Sequence, residues 1–186
     1  MPTRAKKLAT YEDVLAAPEH LVAQLIDGQL ITQPRPASRH ARAGSRLGAL
    51  LDGPFDRGAG GPGGWVILFE PELHLGPHVL VPDLAGWRRE RMPELPDTPF
   101  FELPPDFCCE VLSPSTARTD RIRKVPLYAE YGVGHVWLVD PQAETLEVFA
   151  LDGESYRFIG TYAQDEVVQA APFSAVPLEL GLLWQR

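Results

Sequence analysis

The chain has 186 residues, 45% of them hydrophobic, and a formal net charge of −8. That is enough for one globular domain with a proper core, too little for two comfortable ones, and not the composition of a disordered chain. The acidic balance excludes a protein that coats nucleic acid through a broad basic surface, since such binding rests on phosphate neutralisation by Lys and Arg.

In chain order, the opening segment MPTRAKKLAT lacks the apolar core of a signal peptide. Thr10-Tyr11-Glu12-Asp13 has an N-cap threonine and first-turn acids, predicting a short helix that ends near Pro18. Leu21 to Ile26 and Gln29 to Gln33 flank Asp27-Gly28, a strong hairpin signal, and Pro34 and Pro36 break that hairpin. Ser38 then caps a helix to about Leu51, with Ala43, Leu47, Leu50 and Leu51 as its apolar stripe. Gly53 to Gly64 is rich in Gly and Pro and reads as a loop.

Trp65 to Phe69, Glu72 to Leu75 and His78 to Trp87 read as strands, the last two turning at Gly76-Pro77. Pro93 to Pro105 is a second long loop. Phe107 to Leu112 is a short apolar strand, followed by a turn at Ser113-Pro114-Ser115-Thr116. Asp120 to Tyr131 reads as a helix stopped by Gly132; Pro126 either kinks it or marks where its regular part begins. His135 to Val139 is a buried-type strand, and Glu144 to Ala150 with Ser155 to Thr161 form a hairpin about Asp152-Gly153. The order predicts one α/β domain over residues 1–186, a mixed sheet flanked by helices. No apolar run reaches bilayer-spanning length. The two cysteines, adjacent as Cys108-Cys109, suit core filling better than a bridge, so a cytoplasmic residence is expected.

Two acids stand where acids are costly. Alternation places Asp83 inside the apolar strand His78 to Trp87, on the face of Val79, Val81 and Ala85. Glu110 interrupts Phe107 to Leu112 on the face of Cys108 and Leu112. A carboxylate in such a setting must be paired, hydrogen-bonded or bound to a metal. An oxygen-rich site of this kind suits Mg²⁺ or Mn²⁺. The alternatives are a strand end facing water, or an ion pair with a nearby arginine.

Val81-Pro82-Asp83, Glu110-Val111-Leu112-Ser113-Pro114-Ser115-Thr116, Asp120, Lys124, Tyr128, Gly132-Val133 and Val136 to Pro141 together resemble the Uma2 family (DUF820). These are bacterial restriction-endonuclease-like proteins of the PD-(D/E)XK nuclease superfamily. Leu25 to Leu30 fits the family's opening, so the resemblance covers about Tyr11 to Val168. It implies a restriction-endonuclease-like core, metal-dependent cleavage of DNA, Asp83 and Glu110 as metal-binding acids, and Lys124 as the assisting cation. The superfamily usually carries its lysine two residues after the second acid, where this chain has Leu112; the resemblance implies that Lys124, on the next helix, replaces it. Glu70 matches an auxiliary metal ligand, and Gln24 departs from the acid that relatives commonly carry there. Restriction-type enzymes often pair to cut both strands, which makes a homodimer, through the Glu144 to Thr161 hairpin, the expected assembly. The competing expectation is a non-catalytic DNA-binding or assembly module that keeps the nuclease fold.

Other candidates have plainer readings. His74 and His78 read as surface strand histidines, and His40 as a phosphate contact or a solvated side chain. Ser113 and Ser115 lack a nucleophile elbow. Asp120 reads as a first-turn acid of its helix, and Tyr128 and Trp137 as core aromatics.

Overall fold

A computed structural model describes residues 8–34 and 37–185; the predicted hairpin break at Pro36 and most of the opening segment lie outside the described residues. The elements in chain order are α1 (Tyr11–Leu15), β1 (Leu21–Ile26), β2 (Gln29–Pro34), α2 (Ser38–Leu51), β3 (Trp65–Phe69), β4 (Leu73–Leu75), β5 (His78–Leu80) and β6 (Leu84–Arg88). There follow β7 (Phe107–Val111), α3 (Ala117–Thr119), α4 (Val125–Glu130), β8 (His135–Asp140), β9 (Thr145–Asp152), β10 (Ser155–Ala163), β11 (Val167–Val168), β12 (Leu178–Glu179) and α5 (Gly181–Trp184). Among the described residues, no helix is long and apolar enough to cross a membrane.

The main sheet has six strands in the order β10-β9-β8-β7-β6-β3. Only β7 and β8 are parallel, joined by the helical segment 117–130; the other pairs are antiparallel. A smaller sheet, β2-β1-β5-β4, packs beside it. Alternation along β7 divides the core. Cys109 and Val111 join Leu47, Leu51, Trp137 and the C-terminal Phe173 on the α2 side. Cys108 and Leu112 join Ile26, Leu80, Leu127 and Tyr128 on the other. Phe173 rests against Phe55, Trp65, Phe107 and Trp137, so the C-terminal segment, unassigned by pattern, closes the first core.

Three departures from the sequence expectation bear on function. The predicted strand His78 to Trp87 is two strands in two sheets, broken at Val81-Pro82-Asp83. Pro82 has no N–H for a ladder, so the chain leaves one sheet there and enters the other. Asp83 therefore sits at the junction, not within an alternating strand. The helix predicted from Asp120 opens instead as α3, widens into a π-helical turn over Asp120–Lys124, and resumes as α4 with Pro126 in its first turn. Pro126 lacks the N–H that an α-helical turn would require, and the wide turn absorbs the loss. Finally, the predicted loop after α2 begins as a second π-helical turn, Asp52–Asp56, because Phe55 is drawn into the core.

Candidate active site

The junction leaves the backbone of Val81 free of ladder partners, and side chains take it over. Its N–H donates to Gln24 Oε1 at 2.9 Å, and its carbonyl accepts from Lys124 Nζ at 3.2 Å. Two residues on, Asp83 Oδ2 accepts the N–H of Val111 at 2.7 Å, while Oδ1 lies 3.3 Å from His40 Nε2. Asp83 is thus fixed between the strand that carries Glu110 and the first turn of α2.

Glu110 points from β7 toward α4 and is almost fully buried. Its Oε2 accepts from Lys124 Nζ at 2.7 Å and its Oε1 from the Tyr128 hydroxyl at 2.5 Å. Lys124 Nζ also lies 3.6 Å from Asp120 Oδ1. Asp120 and Lys124 stand at the two ends of the wide turn; their i,i+4 spacing puts them on one face of the helical segment, where both are buried.

One cation faces several acids here, and the protonation equilibria follow. Burial pushes Glu110 up to about 8 against the pull of Lys124, with Asp120 and Asp83 raising it further. Burial likewise raises Asp120, partly offset by Lys124 and by a hydrogen bond from Thr116. For Lys124, burial acts to lower the pKa, but Glu110 and Asp120 outweigh it and leave it above an ordinary lysine. The direction is that of a lysine that holds its proton beside these acids. His40 is raised too: burial opposes its charge, but the hydrogen bond and charge of Asp83 prevail. Burial holds both cysteine thiols well above their ordinary value, so neither offers a thiolate.

These groups open onto a cleft of about 270 Å³. Asp83, Glu110, Lys124 and Asp120 line it, together with His40, Ser113, Ser115, Val22, Gln33 and Pro34. The three residues singled out by sequence meet in one place. Glu70 lines the same cleft but is exposed, and its backbone takes a left-handed conformation at φ 43°, with its N–H donating to the Asp83 carbonyl. Asp120 is a first-turn acid as expected, here of the π-helical turn, and it lies buried beside Lys124. His40 is neither free nor simply solvated, because the first turn of α2 abuts Asp83. Tyr128 is a core residue as expected, yet its hydroxyl also orients Glu110, a role that apolar patterning hides.

The histidines on the small sheet serve elsewhere. His74 stacks on Phe100 and bonds Glu72, and His78 is buried rather than surface-exposed, accepting the Asp27 N–H on its Nδ1. Among the described residues no three His, Cys, Asp or Glu side chains converge as a ready-made metal cage. The donor set at Asp83 and Glu110 is nonetheless one that fits Mg²⁺, which keeps several waters and takes only one or two carboxylates.

Fold and cleft together define a nuclease-like α/β protein: an acid at a strand junction, a second acid on the adjoining strand, and a lysine held against it. A family model described as "Putative restriction endonuclease" matches residues 8–181, and the chain belongs to that family, Uma2. A solved structure described as "a putative nuclease belonging to DUF820", from Anabaena variabilis, is similar with a TM-score of 0.74 at 22% sequence identity. The similarity covers 94% of this chain and 97% of that one, and at this identity it speaks for the fold. No functionally curated protein matches the sequence.

Proposed function

We propose that this protein is a Mg²⁺- or Mn²⁺-dependent DNA endonuclease whose site is Asp83, Glu110 and Lys124. The observation that carries the reading is a buried lysine beside two carboxylates, Nζ 2.7 Å from Glu110 and 3.6 Å from Asp120, in a cleft that Asp83 also lines. A buried charge cluster of this kind is costly to fold and seldom adds stability, so a functional use is the better account of it. Bound there, a divalent ion would supply Lewis-acid polarisation of the scissile phosphoryl group.

The chain's own residues do the rest. Asp83, fixed by the Val111 N–H and by His40, and Glu110, fixed by Tyr128 and Lys124, would hold the ion, with the exposed Glu70 as an auxiliary ligand. Lys124 keeps its proton and directs it toward oxygen, so it stabilises charge growing on the phosphate and positions water rather than deprotonating it. Exposed Phe158 and Ile159 on β10, the edge strand of the main sheet, support a homodimer through this hairpin, which sedimentation of the wild type and a Phe158→Lys variant would test.

The test of activity is cleavage of supercoiled plasmid and single-stranded DNA with Mg²⁺ or Mn²⁺. Cutting should require the metal and vanish in Asp83→Ala, Glu110→Ala and Lys124→Ala. The net charge of −8, and the engagement of both Glu110 oxygens inside the protein, favour a second reading as a non-catalytic DNA-binding or assembly module. That reading predicts no cutting and no metal uptake in calorimetry by folded protein.

A further inference from the structure

We propose that a groove leading from the cleft over the start of α2 is the track of a DNA backbone, its phosphates held by Arg39 and Arg42. This rests on the nuclease reading and names where the substrate would lie. The groove is continuous. His40 and Ser113 are shared by the cleft and an adjoining depression of about 340 Å³. Ser38, Arg39 and Pro141 are shared by that depression and a third, of about 570 Å³, which reaches Arg42.

Charge decides the occupant. In this acidic protein, five of the eleven described arginines are spent on acids: Arg57 on Asp52, Arg89 on Asp56, Arg91 on Asp106, Arg121 on Glu147 and Arg123 on Asp27. Arg39 and Arg42 are exposed, and among the described residues neither meets a carboxylate; Arg42 reaches only the Gln185 carbonyl, at 3.4 Å. Spaced i,i+3, they project from one face of α2, with Cβ atoms roughly 5–6 Å apart. The first turn of that helix carries no acid either. Glu144, on the far part of the groove, bounds the track with the opposite sign. Guanidinium groups in a groove that ends at a phosphodiesterase site suit bidentate phosphate contacts. Such contacts position the nucleic acid without reading its sequence.

The probe is a fluorescein-labelled DNA duplex of arbitrary sequence. Its binding is followed by anisotropy across a salt series, with Ca²⁺ in place of Mg²⁺ so that binding is read without turnover. Arg39→Ala/Arg42→Ala should weaken binding about equally for unrelated sequences and reduce the salt slope by roughly 1 per arginine lost. The same variant, assayed with Mg²⁺, should raise KM and leave kcat near the wild-type value. Arg157→Ala removes an equally exposed arginine from β10 and should change neither quantity. Equal weakening by Arg157→Ala would mean that net charge alone matters and would overturn the track. Wild-type binding unaltered in the double variant would overturn the track and leave the nuclease reading standing. A wild type that neither binds nor cuts DNA would overturn both.

Discussion

Lys124→Met removes the one ammonium that the described residues place in the cleft, while keeping much of the side chain's length. In the native protein Nζ lies 2.7 Å from a Glu110 oxygen and 3.6 Å from Asp120, with all three side chains 2–3% exposed. Above about pH 8, where Glu110 is ionised, and at an effective dielectric of about 20, the closer contact alone is worth on the order of 6 kcal/mol before desolvation is subtracted. Breaking one partner of a buried pair costs roughly 3–5 kcal/mol, because the orphaned carboxyl has neither water nor cation. For a domain of this size that is a fall in Tm of roughly 6–20 °C. Removing both charges of the closer pair, as Lys124→Met/Glu110→Gln, leaves an amide oxygen still able to accept from the Tyr128 hydroxyl and should recover the Glu110 share of the loss, while the buried Asp120 still lacks its cation. The assay is urea unfolding followed by the fluorescence of the buried tryptophans Trp65, Trp87 and Trp137. A cycle over the four proteins gives the coupling. A loss below about 1 kcal/mol for Lys124→Met, with additive effects in the double variant, would refute the claim that this pair is strained for function. The double variant also serves the functional question, since it should be well folded and unable to cut DNA.

Three shorter predictions follow from the same geometry. Glu70→Gly relieves a left-handed backbone at φ 43° and should raise stability by roughly 1 kcal/mol while weakening Mg²⁺ binding in calorimetry; unchanged metal affinity would remove Glu70 from the ligand set. Gln24→Leu orphans the Val81 N–H and should cost about 1–3 kcal/mol in chemical unfolding, together with a drop in activity as Val81 releases Lys124. Glu110 titrates near 8 when folded and near 4.5 when unfolded, so between those values the native state holds a proton that the unfolded chain has lost. Its contribution is full below 4.5 and is lost as pH rises toward and through about 8; the metal-free wild type should show this decline relative to Glu110→Gln, and parallel pH profiles would contradict it.

Much of the architecture was legible because strong local signals and burial agreed. Asp27-Gly28 fixed the first hairpin, and the stripe through Ala43 and Leu47 fixed α2 as far as Leu51, although Ala37 and not Ser38 is its N-cap, with no side-chain cap bond. The failures share one cause, that tertiary contacts redirect the backbone where local pattern looks regular. Val79 to Trp87 alternates well enough to pass for one strand, yet Pro82 lies in it and was the available signal for a break. Pro126 was likewise a visible signal, and the regular helix does start beside it. What no pattern revealed was the widening of the turn before it, or that the face shared by Asp120 and Lys124 is turned inward. The approach of His40 to Asp83 is a long-range contact between α2 and the sheet junction, and no local spacing encodes it.

The same irregularities explain how a lysine can leave the strand that carries the second acid. Two residues beyond Glu110 the chain has Leu112, buried among Cys108, Leu127 and Tyr128, where an ammonium would have no partner but the core. A cation must then arrive from another element, and the i,i+4 spacing of Asp120 and Lys124 presents both from one face of the helical segment that follows the Ser113 to Thr116 turn. The π-helical turn over Asp120–Lys124 lies in that segment, and Pro126 accompanies it by denying the next turn its ordinary hydrogen bond. On the opposite side, the break at Pro82 frees the Val81 carbonyl to hold the arriving ammonium. Each departure from regular structure would be a liability alone; placed across the cleft from one another, they deliver a charged nitrogen to a carboxylate that the sheet has already buried.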